Sequence, residues 1–509
     1  MEEVWRVHKL QRSAGVLLPV SALPSRYGIG CFSKEAYAFV DFLAAAGQRY
    51  WQILPLCPTG YGDSPYQSVS SFAGNPYFID LDALVAQGWL TAAECSRAFS
   101  SASETQIDYA LQYRARLPLL RRAYVRFGKR ATAAQRSAYT AFLQRESHWI
   151  DDYAHFMALK DAHNGAPLPH WERALQAREG RAMKKSKEAL ADDIAFYGFV
   201  QYVFFEQWTA LRHYANARGV AIIGDLPIYV AADSADVWAH PQLFQLDDAY
   251  RPTAVAGCPP DGFSAKGQRW GNPLYFWPAH EEEDFRWWLS RLRHCFAMYD
   301  VVRIDHFRGF ASYYSIPADA ADATVGHWER GVGKALFARM AAVMGECPII
   351  AEDLGYMTEE VRELLRYCGF PGMKVLQFAF DGRDEGSKND HLPHLYPEHC
   401  VAYTGTHDNQ TLRGWLGTIS DAERYAVRSY LCDFNTPTPQ LTRPLVALLL
   451  RSAARLCIVP LQDYLNYDDA ARINTPSTEQ GNWMWRVGKD VLSAALAADI
   501  RRMTGAYGR

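Results

Sequence analysis

The sequence predicts an α/β fold, a (β/α)8 TIM barrel with inserted, mainly helical subdomains, on three observations. Eight short apolar runs end in polar or turn residues, helix-like stretches separate most of them, and no GxGxxG sequence follows any run. Strands that alternate with helices indicate a parallel sheet with right-handed crossovers. Without the glycine motif a dinucleotide-binding sheet has no support, and a doubly wound open sheet of another kind is the structural alternative.

The eight runs are unevenly spaced. The segment 85–197 is rich in Ala, Arg, Leu and Gln. Because it is too long for one crossover, we expect a helical insertion between strands two and three. Residues 245–275 are dense in Pro and Gly, which predicts a long irregular loop with a function. We therefore expect one barrel over residues 1–509 with two insertions. The runs are AGVLLPVSALPS, QRYWQILPLCPTG, GVAIIGDLPIYV, DVVRIDHFRG, CPIIAEDLG, MKVLQFAFDG, HCVAYTGTHDN and LCIVPLQDYL.

The composition indicates a globular protein that neither binds nucleic acid nor spans a membrane. The 509 residues are 49% hydrophobic, and the net charge of -3 gives no basic surface for nucleic acid. No CxxC pair occurs among the ten cysteines, and no apolar run is long enough to span a bilayer. The first ten residues hold no apolar signal sequence, so we expect a cytoplasmic protein with reduced cysteines.

The fourth run carries charges where a buried strand is expected. Val302 and Ile304 point to one face of such a strand, and Arg303 and Asp305 to the other. Because an adjacent cation favours an ionised carboxylate, we expect Arg303 to lower the pKa of Asp305. An ionised Asp at a strand end can be a nucleophile, a metal ligand or half of a structural ion pair.

Other predicted strands also end in acids and their polar neighbours. In a (β/α)8 barrel the carboxyl ends of the strands meet at one mouth. Each acid alone is explained by a loop cap or an ion pair, but several acids brought together repel one another, which favours a function. The residues that end strands three, four, five, seven and eight are Asp225, Arg303, Asp305, Glu352, Asp353, His407, Asp408, Gln462 and Asp463.

Two chemistries use several carboxylates in one cleft. Divalent metal binding is one, but no HxH, HExxH or DxDxDG motif occurs, and we expect no metal or other cofactor. Glycosyl transfer is the other, and it needs an ionised nucleophile and an acid with a raised pKa. Asp305 fits the nucleophile, and Glu352, which follows the apolar CPIIA, fits the acid. Aromatic residues in the loops predicted to surround the mouth are Tyr61, Tyr66, Trp270, Tyr275, Trp415 and Trp483.

An ordered set of motifs resembles the amylomaltases, or 4-alpha-glucanotransferases, of the α-amylase clan. The resemblance extends from about Gly15 to Arg486. It implies a catalytic (β/α)8 barrel without a C-terminal β-sandwich, and a retaining enzyme that transfers a segment of a 1,4-α-glucan to the 4-hydroxyl of an acceptor glucan or glucose. It also implies cyclisation of long glucans. The motifs are GDSPYQ, GDLPIYVA, PPDGFSAKGQRWGNP, VRIDHFRG, AEDLG, THDN and GNWMWR.

The resemblance implies roles for residues at matching motif positions. Asp305 would be the nucleophile that forms a β-glucosyl-enzyme, Glu352 the acid/base, and Asp408 a third carboxylate that stabilises the transition state. Retention implies that the carboxyls of Asp305 and Glu352 lie about 5–5.5 Å apart. Residues expected to bind substrate are Arg303, His407, Ser64, Tyr66, Asp225, Asp261, Trp270 and Asn482.

The residues leave open whether sugar or water accepts the glycosyl group. Both reactions share the glycosyl-enzyme, and the family resemblance favours transfer, with hydrolysis as a side reaction. An α-amylase is the nearest alternative, but the chain after strand eight is too short for that enzyme's usual β-domain. A glucan-binding protein on an inactive barrel is a third interpretation, which the presence of Asp305, Glu352 and Asp408 opposes.

Overall fold

The computed structural model describes residues 10–260, 264–382, 389–478 and 480–509. Strands occur along the whole of this chain, and most are short and buried. In chain order they are β1 (Ser13–Leu17), β2 (Tyr50–Gln52), β3 (Ala221–Leu226), β4 (Ala254–Cys258), β5 (Gln268–Pro273), β6 (Val301–Ile304), β7 (Ser312–Pro317), β8 (His327–Arg330), β9 (Ile349–Ala351), β10 (Gly372–Val375), β11 (Cys400–Tyr403) and β12 (Leu456–Pro460).

A parallel barrel contains β1, β2, β3, β6, β9, β10, β11 and β12. Neighbours along this series pair in parallel from β1 to β9 and from β10 to β12, and β12 pairs with β1. The ring closes between β9 and β10, where the Ala351 N–H donates to the Pro371 carbonyl at 3.0 Å. The eight predicted strands and the (β/α)8 barrel are therefore confirmed.

Helices fill the connections between the barrel strands. Eight of them, α2 to α9, lie between β2 and β3, and α9 alone has 27 residues. The helices are α1 (Lys34–Ala45), α2 (Leu81–Ala86), α3 (Ala92–Ala98), α4 (Tyr109–Arg130), α5 (Ala133–Arg145), α6 (Ser147–Ala162), α7 (Arg173–Gln176), α8 (Gly180–Ala189), α9 (Ala191–Ala217), α10 (Ala235–Ala239), α11 (Trp277–Glu282), α12 (Arg286–Met298), α13 (Lys334–Met344), α14 (Glu359–Cys368), α15 (Leu412–Thr418), α16 (Asp421–Leu431), α17 (Thr442–Arg451), α18 (Leu461–Tyr464) and α19 (Ala494–Gly505).

A second sheet corrects the prediction of an irregular loop at 245–275. That segment contributes β4 and β5, which join β7 and β8 in an antiparallel sheet with the order β5-β4-β7-β8. The Gly and Pro residues that suggested a loop lie mostly around these strands, and β4 and β5 pair with a register shift between Val255 and Gly257. Strands of four to six residues give little periodic signal, so the sequence did not predict this sheet.

The barrel strands alternate between an inner and an outer apolar cluster. In β6, Val301 packs in the inner cluster with Ile223 of β3 and Ile350 of β9. Val302 and Ile304 pack in the outer cluster, between the strands and the helices. Arg303 therefore points to the inside of the barrel with Val301, as the alternation predicted.

The helices of the described residues are between 4 and 27 residues long. None of them is both long enough and apolar enough to cross a membrane.

Candidate active site

Arg303 connects the ends of three neighbouring strands. Its Nη1 donates to both carboxylate oxygens of Asp225, at 2.7 and 2.6 Å, and contacts Asp305 Oδ1 at 3.2 Å. Its Nη2 donates to Glu352 Oε2 at 2.8 Å. The register explains the arrangement, because Arg303 lies opposite Asp225 in the β3–β6 pair and their side chains share a face. Burial opposes the charge of Arg303, but the three acids raise its pKa well above the ordinary value.

Asp305 and Glu352 contact each other above Arg303. Their carboxyls form a hydrogen bond. The backbone also joins the two strand ends, since the Glu352 N–H donates to the Ile304 carbonyl at 3.0 Å. The separation of about 5–5.5 Å between the two carboxyl groups that a retaining site requires stays a prediction.

The pKa directions within this pair are the reverse of the prediction. Burial and the charge of Glu352 raise the pKa of Asp305 well above its usual range. Burial acts on Glu352 too, but Arg303 and the hydrogen bonds from Asp305 and the His306 N–H lower its pKa. Arg303 lowers the pKa of Asp305, but burial and Glu352 outweigh it, and its Nη1 is closer to Asp225. When the pair holds a single proton, that proton therefore lies on Asp305.

A third acid, Asp408, lies in the loop that follows β11. Its Oδ1 accepts a hydrogen bond from Asn474 Nδ2 at 2.6 Å, and its Oδ2 lies 3.3 Å from His407 Nε2. Arg472 Nη2 holds its backbone carbonyl at 2.8 Å. Burial opposes ionisation, but His407 and Asn474 lower the pKa of Asp408 to about 2. Asp408 is therefore a carboxylate at neutral pH, and its side chain is 44% exposed.

Three rings pack together beside this acid. Tyr66 stacks on His407, with centroids 5.2 Å apart and planes 16° apart, and Trp483 contacts both rings. The Tyr66 hydroxyl donates to Asp225 Oδ2 at 2.7 Å. Because Asp225 also binds Arg303, this hydrogen bond connects the ring cluster to the three acids.

Trp270 of β5 lies on the Glu352 side. Its ring meets His306 nearly at right angles, with centroids 4.9 Å apart. Its carbonyl accepts a hydrogen bond from Gln67 Nε2 at 3.0 Å, and the same amide nitrogen donates to Asn272 Oδ1 at 2.9 Å. The antiparallel sheet is thereby held against the loop that carries Tyr66.

The remaining predicted binding residues have structural contacts. The Asp225 side chain is 1% exposed, which suits support of Arg303 better than contact with a sugar. Ser64 Oγ accepts the Tyr66 N–H at 3.2 Å. Asn482 binds Thr475 and Thr478 within its own loop. Asp261 lies outside the described residues, so its predicted role stays a prediction.

Four other candidates have their contacts outside the group formed by Arg303 and its acids. Asp353 accepts the Met373 N–H at 2.6 Å and supports the β9–β10 closure. Asp463 is buried and accepts hydrogen bonds from Thr404 and Leu412, so it does not join the cluster. Tyr275 and Trp415 are 2% and 8% exposed and pack in apolar clusters of the core. The prediction that all the strand-end acids converge was correct only in part.

Two residues that donate hydrogen bonds to the carboxylates of Glu352 and Asp408 were missed as candidates. His306 has a left-handed backbone with φ 48°, and this turn directs its N–H to Glu352 Oε2 at 2.9 Å. Burial lowers the pKa of its imidazole to about 4, so the ring is neutral. Asn474 was the other omission. His306 stands in the RIDHFRG motif and was available from the sequence, whereas Asn474 lies 66 positions from Asp408.

Removal of the Arg303 side chain is expected to destabilise the protein. In an Arg303→Leu variant, Asp225 would be a buried carboxylate without its cation, which costs about 3–5 kcal/mol of unfolding free energy. Chemical denaturation measures this loss. Arg366→Leu, which breaks the exposed pair with Glu359, is the control and should leave the unfolding midpoint unchanged. Equal stability of the two variants would contradict the central role of Arg303.

Comparisons with known proteins identify the family of this chain. A family model described as 4-alpha-glucanotransferase matches residues 18–491. The chain belongs to this family. A 4-alpha-glucanotransferase of Thermus thermophilus is 47% identical over 98% of this chain and 100% of its own length. The Solanum tuberosum chloroplastic/amyloplastic 4-alpha-glucanotransferase is 37% identical over 98% of this chain and 87% of its own length.

A solved member of the 4-alpha-glucanotransferase family shows the same fold. The amylomaltase of Streptococcus agalactiae, solved in complex with acarbose, superposes with a TM-score of 0.94. It is 40% identical, and the match covers 98% of this chain and all of that one. The family resemblance stated from the motifs is therefore confirmed.

Proposed function

We propose that the cleft around Asp305, Glu352 and Asp408 catalyses 4-α-glucanosyl transfer. A segment of a 1,4-α-glucan passes to the 4-hydroxyl of an acceptor glucan or glucose with retention of configuration. The observation that carries this proposal is the contact of Asp305 with Glu352 over Arg303 in a chain of the 4-alpha-glucanotransferase family. The enzyme is also expected to cyclise long glucans.

The first step forms a glycosyl-enzyme. A glucan that enters between Asp305 and Glu352 separates them, and the shared proton moves to Glu352. Glu352 then donates this proton to the glycosidic oxygen while the Asp305 carboxylate attacks the anomeric carbon. The bond to the leaving glucan breaks, and Asp305 holds the donor segment as a β-linked ester.

The second step returns the proton. The acceptor 4-hydroxyl loses its proton to the Glu352 carboxylate and attacks the anomeric carbon, and the bond to Asp305 breaks. Positive charge develops on the sugar ring in both transition states. Asp408 is ionised and lies in the same cleft, so it stabilises that charge and binds ring hydroxyls. Water in place of the acceptor gives hydrolysis as a side reaction.

Of the side chains proposed to contact the donor sugar, Asp408 is 44% exposed and His407 is 3% exposed. His407 and Asp408 flank the donor sugar, while Arg303 and Asp225 lie beneath it and position the acids. Tyr66 lies beside His407 and Trp270 beside His306. Ser64 and Asn482 are proposed to contact the glucan from the loops that carry Tyr66 and Trp483, and the contact predicted for Asp261 lies outside the described residues.

Incubation with maltotriose tests the proposed activity. We expect a ladder of longer glucans together with free glucose, followed by chromatography over time, and the same ladder with chelator present. Glucose and maltose without longer chains would replace transfer with hydrolysis. Absence of any product from maltotriose and from longer glucans would support the binding-protein interpretation.

The pH profile of this activity depends on the single proton of the acid pair. Because Glu352 ionises below its usual range and Asp305 well above its own, the one-proton state spans intermediate pH. A plot of kcat/KM for maltotriose against pH should be bell-shaped. On its alkaline side kcat/KM should fall about tenfold per pH unit. A Glu352→Gln variant acting on α-maltosyl fluoride, whose leaving group needs no acid, should lose the alkaline limb. An identical alkaline limb in both experiments would contradict the shared proton.

A further inference from the structure

The loop after β9 lies beside the turn after β6. The Phe307 N–H donates to the Glu352 carbonyl at 3.1 Å, and Arg308 Nη1 donates to the Tyr356 carbonyl. The loop from Glu352 to Tyr356 is therefore fixed at both ends against the turn that carries Asp305. Tyr356 stands four residues after the acid/base.

The Tyr356 side chain is open to solvent. It is 74% exposed, more than any other large hydrophobic side chain in the described part of the chain. Exposure of an aromatic ring on a loop fixed beside a cleft requires an explanation, because a large apolar surface left in water is unfavourable. Because the backbone of Tyr356 is already fixed, its ring can pack against the apolar face of a ligand with a small loss of conformational entropy.

Arg308 fixes this backbone through the antiparallel sheet. Its guanidinium stacks over the ring of Trp328 in β8, 3.8 Å from the centroid. Its Nη2 donates to Ser312 Oγ at 3.2 Å, at the start of β7. The ring of Tyr314 in β7 contacts Trp328 edge to face at 5.2 Å. Contacts within the protein therefore hold the Tyr356 backbone in place, and the Tyr356 ring takes no part in these contacts.

The role of Glu352 as the acid determines the side of the cleft on which the acceptor binds. The acid must touch the oxygen between the donor and the leaving sugar, so the leaving group and the later acceptor lie on the Glu352 side. We propose that the Tyr356 ring stacks on the C–H face of an acceptor glucose unit. This inference rests on the proposed transferase function and specifies one of its acceptor contacts. By holding the acceptor, Tyr356 favours transfer over hydrolysis.

The partition of one donor between sugar and water tests this inference. With α-maltosyl fluoride, fluoride release reports every turnover, and incorporation of labelled glucose reports transfer alone. Tyr356→Ala should lower the ratio of incorporation to fluoride release about tenfold at subsaturating glucose, as expected for the loss of one ring face. Fluoride release without acceptor should stay within about twofold, because the donor does not touch the ring.

Two further variants complete the experiment. Tyr356→Phe keeps the ring and should keep the wild-type ratio. Tyr425→Ala is the matched control, since Tyr425 is 66% exposed on α16 and its described ring contact is with Phe434. An unchanged ratio in Tyr356→Ala, or an equal fall in fluoride release without acceptor, would overturn the stacking role. A wild-type protein that releases fluoride but incorporates no glucose would overturn both the inference and the transferase function.

Discussion

Asp305→Asn is expected to abolish glucan transfer. The amide keeps the shape of the side chain but cannot attack the anomeric carbon, so kcat for maltotriose should fall at least about 10⁴-fold. The protein should remain folded, because an amide still bonds Glu352 and Arg303 contacts Asp305 only at 3.2 Å. Product chromatography after long incubation measures the residual rate.

The neighbouring acid Asp353 supplies the control for this variant. Its carboxylate accepts the Met373 N–H, and an Asp353→Asn side chain can accept the same hydrogen bond. We expect Asp353→Asn to keep activity within about fivefold, since the amide oxygen keeps the hydrogen bond from Met373. If Asp353→Asn lost activity and Asp305→Asn kept it, the nucleophile would be Asp353 and not Asp305.

Glu352→Gln has the second largest expected effect, and it depends on the leaving group. A glutamine cannot donate a proton, so kcat for maltotriose should fall about 10³–10⁴-fold. Fluoride leaves without protonation, so the first turnover of α-maltosyl fluoride should remain fast. The measurement is a burst of fluoride equal to the enzyme concentration, followed by slow turnover because the second step lacks its base.

The contrast with Asp305→Asn makes this second prediction specific. Asp305→Asn should give no burst with the same fluoride, since the nucleophile itself is missing. If Glu352→Gln lost the maltotriose and fluoride reactions equally, Glu352 would not act as the acid. A burst in both variants would assign the nucleophile to another residue.

The barrel could be predicted from the sequence because its strands are the most buried and regular elements. Each run of β-branched and apolar residues became one strand, and the alternation in β6 placed Arg303 inside correctly. The acids Asp305, Glu352 and Asp408 were found because they end strands or follow them in recognisable motifs. Their expected roles come from the family, and the experiments above test them.

The details of the site depend on partners distant in the chain. Arg303 was expected to ionise Asp305, but the β3–β6 register gives its Nη1 to Asp225, 78 positions away. Asp463 also follows a barrel strand, yet packing directs it to Thr404 and Leu412 instead of the cleft. In the second sheet β7 pairs with β4, which lies far from it in the chain, and β8 pairs with β7. None of these contacts has a local sequence pattern.

The covalent intermediate on Asp305 is the central claim, and mass spectrometry tests it directly. Glu352→Gln is mixed with α-maltosyl fluoride, quenched in acid and digested. The mechanism predicts a maltosyl adduct on the peptide that contains Asp305, because the second step is slow without its base. No adduct despite a fluoride burst, or an adduct on a peptide with Asp408 or another acid, would contradict the mechanism.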